Sequence, residues 1–164
     1  AEPRLWLTSD SMGTMGFGLP AAIGAQFAQP DRVVVDIDGD ASIRMNIGEL
    51  ETATTYKLPI KVVVLNNYGD GMVRQWQKLY YDSRMSASDK SLHSKDFVKT
   101  AQADGFEFAR KLDKPGDIEA TVRRAFGGRD PAERLKGPPG DPPRLGARAL
   151  LGNLCRRRRA AGAA

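Results

Sequence analysis

Two short apolar segments of this chain are each followed by a side chain that carries oxygen. Asp40 comes shortly after the β-branched segment 33–37, and Asn67 comes shortly after a second such segment, 60–65. The two side chains lie 27 positions apart, which is about one strand–helix–strand unit, so a parallel sheet would bring them to the same edge. Carboxylate and amide oxygens, completed by phosphate oxygens and water, form a ligand set that Mg²⁺ accepts.

Each of these positions also has a simpler explanation. Asp40 could cap the helix that follows it, and Asn66 and Asn67 could serve a turn, because both residue types are common there. Their joint occurrence at two corresponding strand ends favours the metal site instead. One carboxylate and one neutral amide give a single negative charge, which is few for Mg²⁺, so the sequence predicts a metal-bound diphosphate. A helix that begins near Asn46 could add backbone N–H groups to the phosphates.

An alternation of strands and helices must position these side chains. The hydrophobic pattern predicts three strands, 33–37, 60–65 and 106–109, and five helices, 19–28, 46–56, 72–81, 96–103 and 116–126. The first two strands are nearly continuous apolar runs, as expected when helices cover both faces of a parallel sheet. The predicted fold is therefore α/β with a doubly wound parallel sheet, in which ligands bind at the carboxyl ends of the strands.

A glycine-rich stretch precedes the first predicted helix. Gly13, Gly16 and Gly18 alternate with apolar residues that include Met15 and Phe17, and such spacing lets a backbone turn sharply and approach a ligand closely. The stretch contains no Gly-Lys-Ser/Thr and does not match Gly-x-Gly-x-x-Gly. It therefore gives no support to a nucleotide-binding loop.

The basic charge of the chain is confined to its last 38 residues. Residues 1–126 hold 16 Lys and Arg against 17 Asp and Glu, whereas residues 127–164 hold 9 against 3. The second segment is rich in Gly, Pro and Arg, so we predict a folded domain over 1–126 and a disordered or non-native tail over 127–164. The overall pI of about 9.5 therefore does not indicate a nucleic-acid surface on the folded part, although the arginine run 156–159 keeps open a non-catalytic α/β domain whose tail binds nucleic acid or a membrane.

Cysteine usage and hydropathy indicate the cellular compartment. Cys155 is the single cysteine, so no disulfide forms within the chain, which favours a reducing compartment. No apolar run approaches the 18 residues of a membrane span, and the first residues do not read as a signal peptide. We predict a bacterial cytoplasmic protein, and the absence of an initiator Met suggests that the sequence starts inside a longer one.

Five motifs of the chain resemble a known enzyme family. The segment 39–42, followed 27 positions after Asp40 by the second Asn of a pair, resembles the signature of thiamine-diphosphate enzymes. The segments 6–9, 13–22, 45–50 and 71–77 are similar to the catalytic subunit of acetolactate synthase, also called acetohydroxyacid synthase. The resemblance covers about residues 4–126 and implies the pyrophosphate-binding domain of the thiamine-diphosphate-binding fold, incomplete at both ends.

The resemblance implies a role for individual residues. The side chains of Asp40 and Asn67 and the carbonyl of Gly69 would bind Mg²⁺, while the amides of Ala41 and Ser42 would hold the diphosphate. The full set of cofactor-binding residues would be Gly13, Met15, Gly39, Asp40, Ala41, Ser42, Asn67, Gly69, Gly71 and Met72.

Further roles concern the thiamine and the substrate. Met15 would force the cofactor into its bent shape, and Met72, Val73 and Trp76 would line the substrate pocket. The simpler explanation of the last three is core packing on an amphipathic helix, which the motif match outweighs. In one departure from the family, Asp10 and Ser11 stand where the pair Gly-Gly is usual.

The implied reaction belongs to an enzyme larger than this chain. Acetolactate synthase condenses pyruvate with a second 2-keto acid with loss of CO₂, the first step of branched-chain amino acid biosynthesis. Another pyruvate-using thiamine-diphosphate enzyme, an oxidase or a decarboxylase, is the nearest alternative.

No catalytic residue is expected in this chain. The activating Glu belongs to a pyrimidine-binding domain supplied by another subunit of a homodimer or tetramer, so the chain alone is predicted to be inactive. FAD would bind outside this segment, and a small regulatory subunit is a further partner that the resemblance allows.

Overall fold

The structure is a computed structural model that describes residues 5–93, 95–127 and, as backbone, 148–152. Four strands form its sheet: β1 (Val35–Gly39), β2 (Lys61–Leu65), β3 (Phe108–Leu112) and β4 (Arg148–Gly152). Six α-helices accompany them: α1 (Gly18–Ala28), α2 (Asp40–Ile43), α3 (Glu49–Thr55), α4 (Gly71–Tyr80), α5 (Phe97–Ala103) and α6 (Ile118–Ala125). Short 3-10 helices lie at Asp10–Met12, Arg44–Asn46 and Pro115–Asp117.

The sheet is parallel throughout the described residues, in the order β1-β2-β4-β3. The predicted α/β fold with a parallel sheet is confirmed. The register pairs Gly39 with Leu65, so β1 and β2 end side by side. Residues that follow these two strands are therefore neighbours, which is what the candidate site requires.

Apolar clusters cover both faces of the sheet. On one face, Val62 and Val64 of β2 join a buried cluster with residues of α1, α3 and α5. On the other face, Val63 packs against the cluster of Ala125 and Phe126 at the end of α6. Successive side chains of a strand point to opposite faces, so a continuous apolar run is what a doubly wound sheet needs.

One strand lies in the segment that was predicted to be disordered or non-native. Residues 148–152 form β4, which pairs with β2 on one side and with β3 on the other. These five residues form a strand rather than a disordered segment, because their backbone N–H and C=O groups pair with strands on both sides. The rest of the predicted tail, apart from Gly127, lies outside the described residues, and the domain boundary stays a prediction.

The predicted helix 46–56 is wrong in its start. Helical backbone begins at Asp40 with α2, continues through the 3-10 turn Arg44–Asn46, and ends with α3 at Thr55. A helix of four residues is too short to show a hydrophobic period, so the sequence pattern missed α2. The consequence matters for the site, because the amide groups of Ala41 and Ser42 belong to the first turn of this helix.

Among the described helices, none combines the length and the apolar character that crossing a membrane requires.

Candidate functional site

The ends of β1 and β2 are joined through Asp40 and Asn67. The Oδ1 atom of Asp40 accepts a hydrogen bond from the N–H of Asn67 across 3.3 Å. The side-chain oxygen of Asn67 accepts one in turn from the N–H of Gly69, across 3.0 Å. The structure thus brings together the three residues predicted to bind the metal, and their metal-binding roles remain predictions.

Asp40 carries a buried carboxyl group in this cluster. The residue is 1% exposed, and its Oδ2 atom is buried without a hydrogen-bond partner in the described part of the chain. Burial raises the pKa of the Asp40 carboxyl above its ordinary value, while the N–H of Asn67 and the charge of Arg44 act in the opposite direction. A buried carboxylate oxygen without a partner is costly unless a cation or a donor satisfies it.

The donor set fits a hard cation that also binds phosphate. Asp40 contributes one carboxylate, Asn67 an amide oxygen and Gly69 a backbone carbonyl, all of which are oxygen donors of the kind Mg²⁺ takes. Within the described ranges, no group of three or more His, Cys, Asp or Glu could hold a metal by itself. The residues present therefore fit Mg²⁺ bound together with a diphosphate, rather than a metal enclosed by protein.

A cavity of about 180 Å³ opens beside these donors. Its walls come from the carboxyl ends of β1 and β2 and from the helices that follow them. The lining residues are Met15, Gly39, Asp40, Ala41, Ser42, Leu65, Asn67, Gly69, Asp70, Gly71, Met72 and Val73. Of the predicted cofactor and substrate residues, only Gly13 and Trp76 do not line this cavity.

The glycine-rich stretch is attached to the site through Gly16. The N–H of Gly16 donates to Ser42 Oγ over 2.9 Å, and the carbonyl of Gly16 accepts from Asn46 Nδ2 over 2.7 Å. Gly16 has a φ of +85°, and a Cβ there would lie 2.8 Å from both Asn46 Nδ2 and Met45 Cβ. Only glycine fits this position, and the two bonds hold the adjacent Met15 at the cavity.

Sequence reasoning missed the role of Asn46. This residue was expected only to mark a helix start, although it lies within one of the motifs that carry the family resemblance. Its side chain donates to Gly16, which lies 30 positions earlier in the sequence. A contact between such distant positions leaves no periodic signal in the sequence.

Two residues at the start of the glycine-rich stretch have left-handed backbone. Asp10, at a position where the family resemblance implies glycine, has a φ of +58°. Gly13 follows with a φ of +57° and donates its N–H to the carbonyl of Asp10 over 3.3 Å. Aspartate tolerates the left-handed region better than most residues but less well than glycine.

Helix α4 carries the predicted substrate-pocket residues on an open face. It buries none of its ten residues, and Met72 and Trp76 are 67% and 56% exposed. Trp76 contacts Tyr80, with 5.0 Å between the ring centroids. Core packing among the described residues therefore does not explain these apolar side chains.

Two acidic residues, Asp36 and Asp38, lie on β1 before the site. Asp36 is 5% exposed, and its burial, with a smaller contribution from the charge of Asp38, raises its pKa to about 7. A Cβ on Gly18 would lie only 2.5 Å from Asp36 Oδ1, so the start of α1 rests directly on this carboxyl group. The sequence showed two acidic residues in a strand but not which of them is buried.

The chain is similar to proteins of a known family. Residues 1–133 match the family described as thiamine pyrophosphate enzyme, C-terminal TPP binding domain. An acetolactate synthase large subunit from Parasynechococcus marenigrum is 54% identical over 112 residues, which are 68% of this chain and 18% of that protein. A mitochondrial acetolactate synthase catalytic subunit from Aspergillus candidus is 51% identical over 122 residues, which are 74% of this chain and 17% of that protein.

A solved structure with the same fold is a thiamine diphosphate-dependent 4-hydroxybenzoylformate decarboxylase from Rhodococcus jostii. It aligns with a TM-score of 0.68 and 29% sequence identity over 87% of this chain and 23% of its own. The chain therefore spans less than a fifth of the length of the two curated relatives described above and under a quarter of this structural neighbour.

Proposed function

The chain belongs to the thiamine pyrophosphate enzyme family, by its C-terminal TPP-binding domain, and from this premise we propose that it supplies the magnesium- and diphosphate-binding half of an acetolactate synthase active site. The resemblance to acetolactate synthase that its motifs carry is confirmed by relatives of that name at 43–54% identity. The activity of the whole protein, its substrates and its partners form part of the proposal.

One observation carries the proposal: the Oδ2 atom of Asp40 is buried and lacks a hydrogen-bond partner among the described residues. It belongs to a residue that lines the same cavity as Asn67 and Gly69, so a cation placed there would meet three oxygen donors. The first amides of α2, at Ala41 and Ser42, would bind the diphosphate oxygens that complete the coordination of the metal.

The remaining cavity residues would orient the cofactor and the substrate. Met15, held through Gly16, would contact the thiamine, while Met72 and Val73 at the start of α4 would line the substrate side together with Trp76. Bound thiamine diphosphate supplies the carbanion chemistry that joins two 2-keto acids with loss of CO₂. The residues of this chain bind and orient, and none of them serves as the activating acid.

Acetolactate synthase is favoured over a decarboxylase by sequence identity. The relatives named acetolactate synthase reach 54% identity, whereas the decarboxylase structure shares 29%. The non-catalytic alternative with a basic tail gains no support, because residues 1–133 match an enzyme family.

The missing half of the active site would come from a pyrimidine-binding domain of another subunit. The open apolar face of α4 supports this arrangement, because Met72 and Trp76 need a partner surface to become buried. In the intact enzyme we also expect FAD, bound outside this segment, a small regulatory subunit, and a cytoplasmic location.

Calorimetric titration of the chain with thiamine diphosphate and Mg²⁺ tests the proposal. The wild type is expected to bind in a magnesium-dependent manner, and Asp40→Ala is expected to bind at least about tenfold more weakly. The control is Asp31→Asn, an exposed residue beyond the amino end of β1, which should bind as the wild type does. Equal binding by wild type and Asp40→Ala would refute the assignment of Asp40.

A further inference from the structure

A short segment, 86–90, lies against the loop that carries the metal donors, and we call it the strap. Gly69 of that loop and Asp89 of the strap form an isolated antiparallel bridge. Two backbone hydrogen bonds flank the bridge, from the Asp70 N–H to the Ser88 carbonyl over 2.9 Å and from the Lys90 N–H to the Tyr68 carbonyl over 2.8 Å. The strap therefore holds the loop on both sides of Gly69.

The pattern of these bonds sets the direction of the Gly69 carbonyl. In an antiparallel pair whose neighbours carry the hydrogen bonds, the two facing residues form a non-hydrogen-bonded pair, and their own N–H and C=O groups point away from the partner strand. The N–H of Gly69 accordingly donates to the side-chain oxygen of Asn67. The bridge thus turns the backbone polar groups of Gly69 away from the strap and toward the side on which Asn67 lies.

The loop is strained at the residue before Gly69. Tyr68 has a φ of +58°, which a bulky residue rarely adopts. Its N–H donates to Asn66 Oδ1 over 2.9 Å, and its carbonyl accepts from the strap. A conformation of this kind persists only where the surrounding structure holds it, so the loop depends on the strap for its shape.

The strap is fixed in turn to helix α4 by one side chain. Gln77 donates from Nε2 to the carbonyl of Ser86 over 2.9 Å, and its Oε1 accepts the hydroxyl proton of Ser88. Ser88 is 1% exposed, and its carbonyl would lie 2.7 Å from a Cβ placed on Gly69. Gln77, Ser88 and Gly69 therefore form one continuous contact from α4 to the metal loop.

We propose that Gln77 and Ser88 are positioning residues that hold the Gly69 carbonyl in place for the cation of the diphosphate site. This inference rests on the proposed function and deepens it. Neither side chain is a metal donor. Both act through the strap. Residues that orient metal ligands contribute to the affinity for the metal without touching it.

The test compares two cations on the full chain in the presence of thiamine diphosphate. Mg²⁺ demands near-octahedral geometry, whereas Ca²⁺ accepts irregular arrangements of oxygen donors. Ser88→Ala and Gln77→Leu are each expected to raise the half-saturating Mg²⁺ concentration about tenfold and that of Ca²⁺ far less. Ser86→Ala is the matched control, because the exposed Ser86 takes part through its backbone. Gln77→Glu keeps the acceptor for Ser88 but loses the donor to the Ser86 carbonyl, so its loss of affinity should be smaller than that of Gln77→Leu.

A purely structural role would weaken the binding of both cations equally, and that result, or unchanged binding, would overturn the proposal. Amide hydrogen exchange supplies a readout that needs no ligand: the N–H groups of Asp70 and Lys90 should exchange faster in Ser88→Ala and Gln77→Leu. Unchanged exchange would also overturn it. Failure of the wild type to bind with either cation would refute the proposed function together with this role, whereas normal wild-type binding with unaffected variants would refute the positioning role alone.

Discussion

The Oδ1 atom of Asp40 lies 3.3 Å from the backbone nitrogen of Asn67, so a hydrogen bond joins two strand ends that are 27 residues apart in sequence. One oxygen of the carboxylate is used by this bond, and the other is buried without a partner within the described structure. The same residue thus ties the sheet edge together and leaves a donor for a ligand. This division of roles underlies the first prediction.

Replacing Asp40 with Asn should stabilise the ligand-free chain while it weakens binding. The amide keeps an oxygen that can accept from Asn67 and removes a buried charge, so the free energy of unfolding at pH 8 should rise by about 1 kcal/mol. Urea unfolding without ligand measures this change, and calorimetry with Mg²⁺ and thiamine diphosphate measures the loss of affinity. A less stable variant would show that burial of the charge is not costly here.

Gly16→Ala should destabilise the chain by about 2–4 kcal/mol. Its Cβ would lie 2.8 Å from Met45 Cβ, and the φ of +85° is unfavourable for alanine. Gly24→Ala is the matched control, because a Cβ at this position in the middle of α1 would meet no neighbour within 4 Å among the described residues, and it should stabilise by about 0.5–1 kcal/mol. Thermal unfolding of both variants checks the pair, and equal effects would contradict the close packing of Gly16.

Asn46→Ala should weaken the binding of thiamine diphosphate more than that of inorganic diphosphate. The substitution removes the bond to the Gly16 carbonyl and so loosens Met15, which is proposed to contact the thiamine, while the residues proposed to bind the diphosphate stay in place. We expect about a tenfold loss for thiamine diphosphate with Mg²⁺ and less than about a threefold loss for inorganic diphosphate. Gln102→Ala, on the exposed side of α5, serves as the control, and parallel losses for the two ligands would argue against this role.

Asp36 should make the stability of the chain depend on pH. Its pKa is about 7 in the folded chain and near 3.8 as an ordinary aspartate, so the folded state retains a proton that the unfolded state releases between these values. The contribution of Asp36 to the free energy of unfolding is therefore complete below pH 4, falls as the pH rises to 7 and is absent above pH 7. The total loss is at most about 4 kcal/mol.

Asp36→Asn removes that titration and provides its test. The gain in stability of Asp36→Asn over wild type should be larger at pH 7.5 than at pH 4.5, as measured by urea unfolding at the two pH values. Asp31→Asn, at an exposed position, should show no such difference. The same gain at both pH values would mean that Asp36 does not retain its proton in the folded state.

Trp76→Ala should have little effect on the stability of the isolated chain. The side chain is 56% exposed and lies on a helix that buries none of its residues, so its loss should cost less than about 1 kcal/mol. Thermal unfolding measures this, with Ile60→Ala as the contrasting core variant, expected to lose about 2–5 kcal/mol. A large loss at Trp76 would place it in the core after all.

The local hydrophobic pattern was sufficient to predict the sheet and the parallel direction of its strands. The apolar runs before Asp40 and Asn67 predicted two buried parallel strands, and parallel strands bring their carboxyl ends to one edge whatever the details of packing. The strand limits moved by about two residues, because the backbone of Asp38 and Gly39 pairs with β2 regardless of their polar or missing side chains.

Contacts between distant segments carried no such signal. The insertion of β4 between β2 and β3, the bond of Asn46 to Gly16 and the strap on Gly69 each join residues whose separation in sequence follows no period. The stabilisation that these contacts provide depends on which backbone groups are left unpaired once the sheet has formed. A single sequence does not show which groups these are.

The sequence by itself determined that Asp40 and Asn67 would meet, because hydrophobic periodicity and strand direction are local properties, while the other residues proposed to bind a metal-bound diphosphate follow from the family resemblance. Only the tertiary structure decided how these donors are held: that Asp40 keeps one oxygen unpaired, that Asp36 rather than Asp38 is deeply buried, and that Gln77 reaches Gly69 through Ser88. Burial and hydrogen bonding between distant segments arise from packing the whole chain at once, and they set the electrostatics of the site.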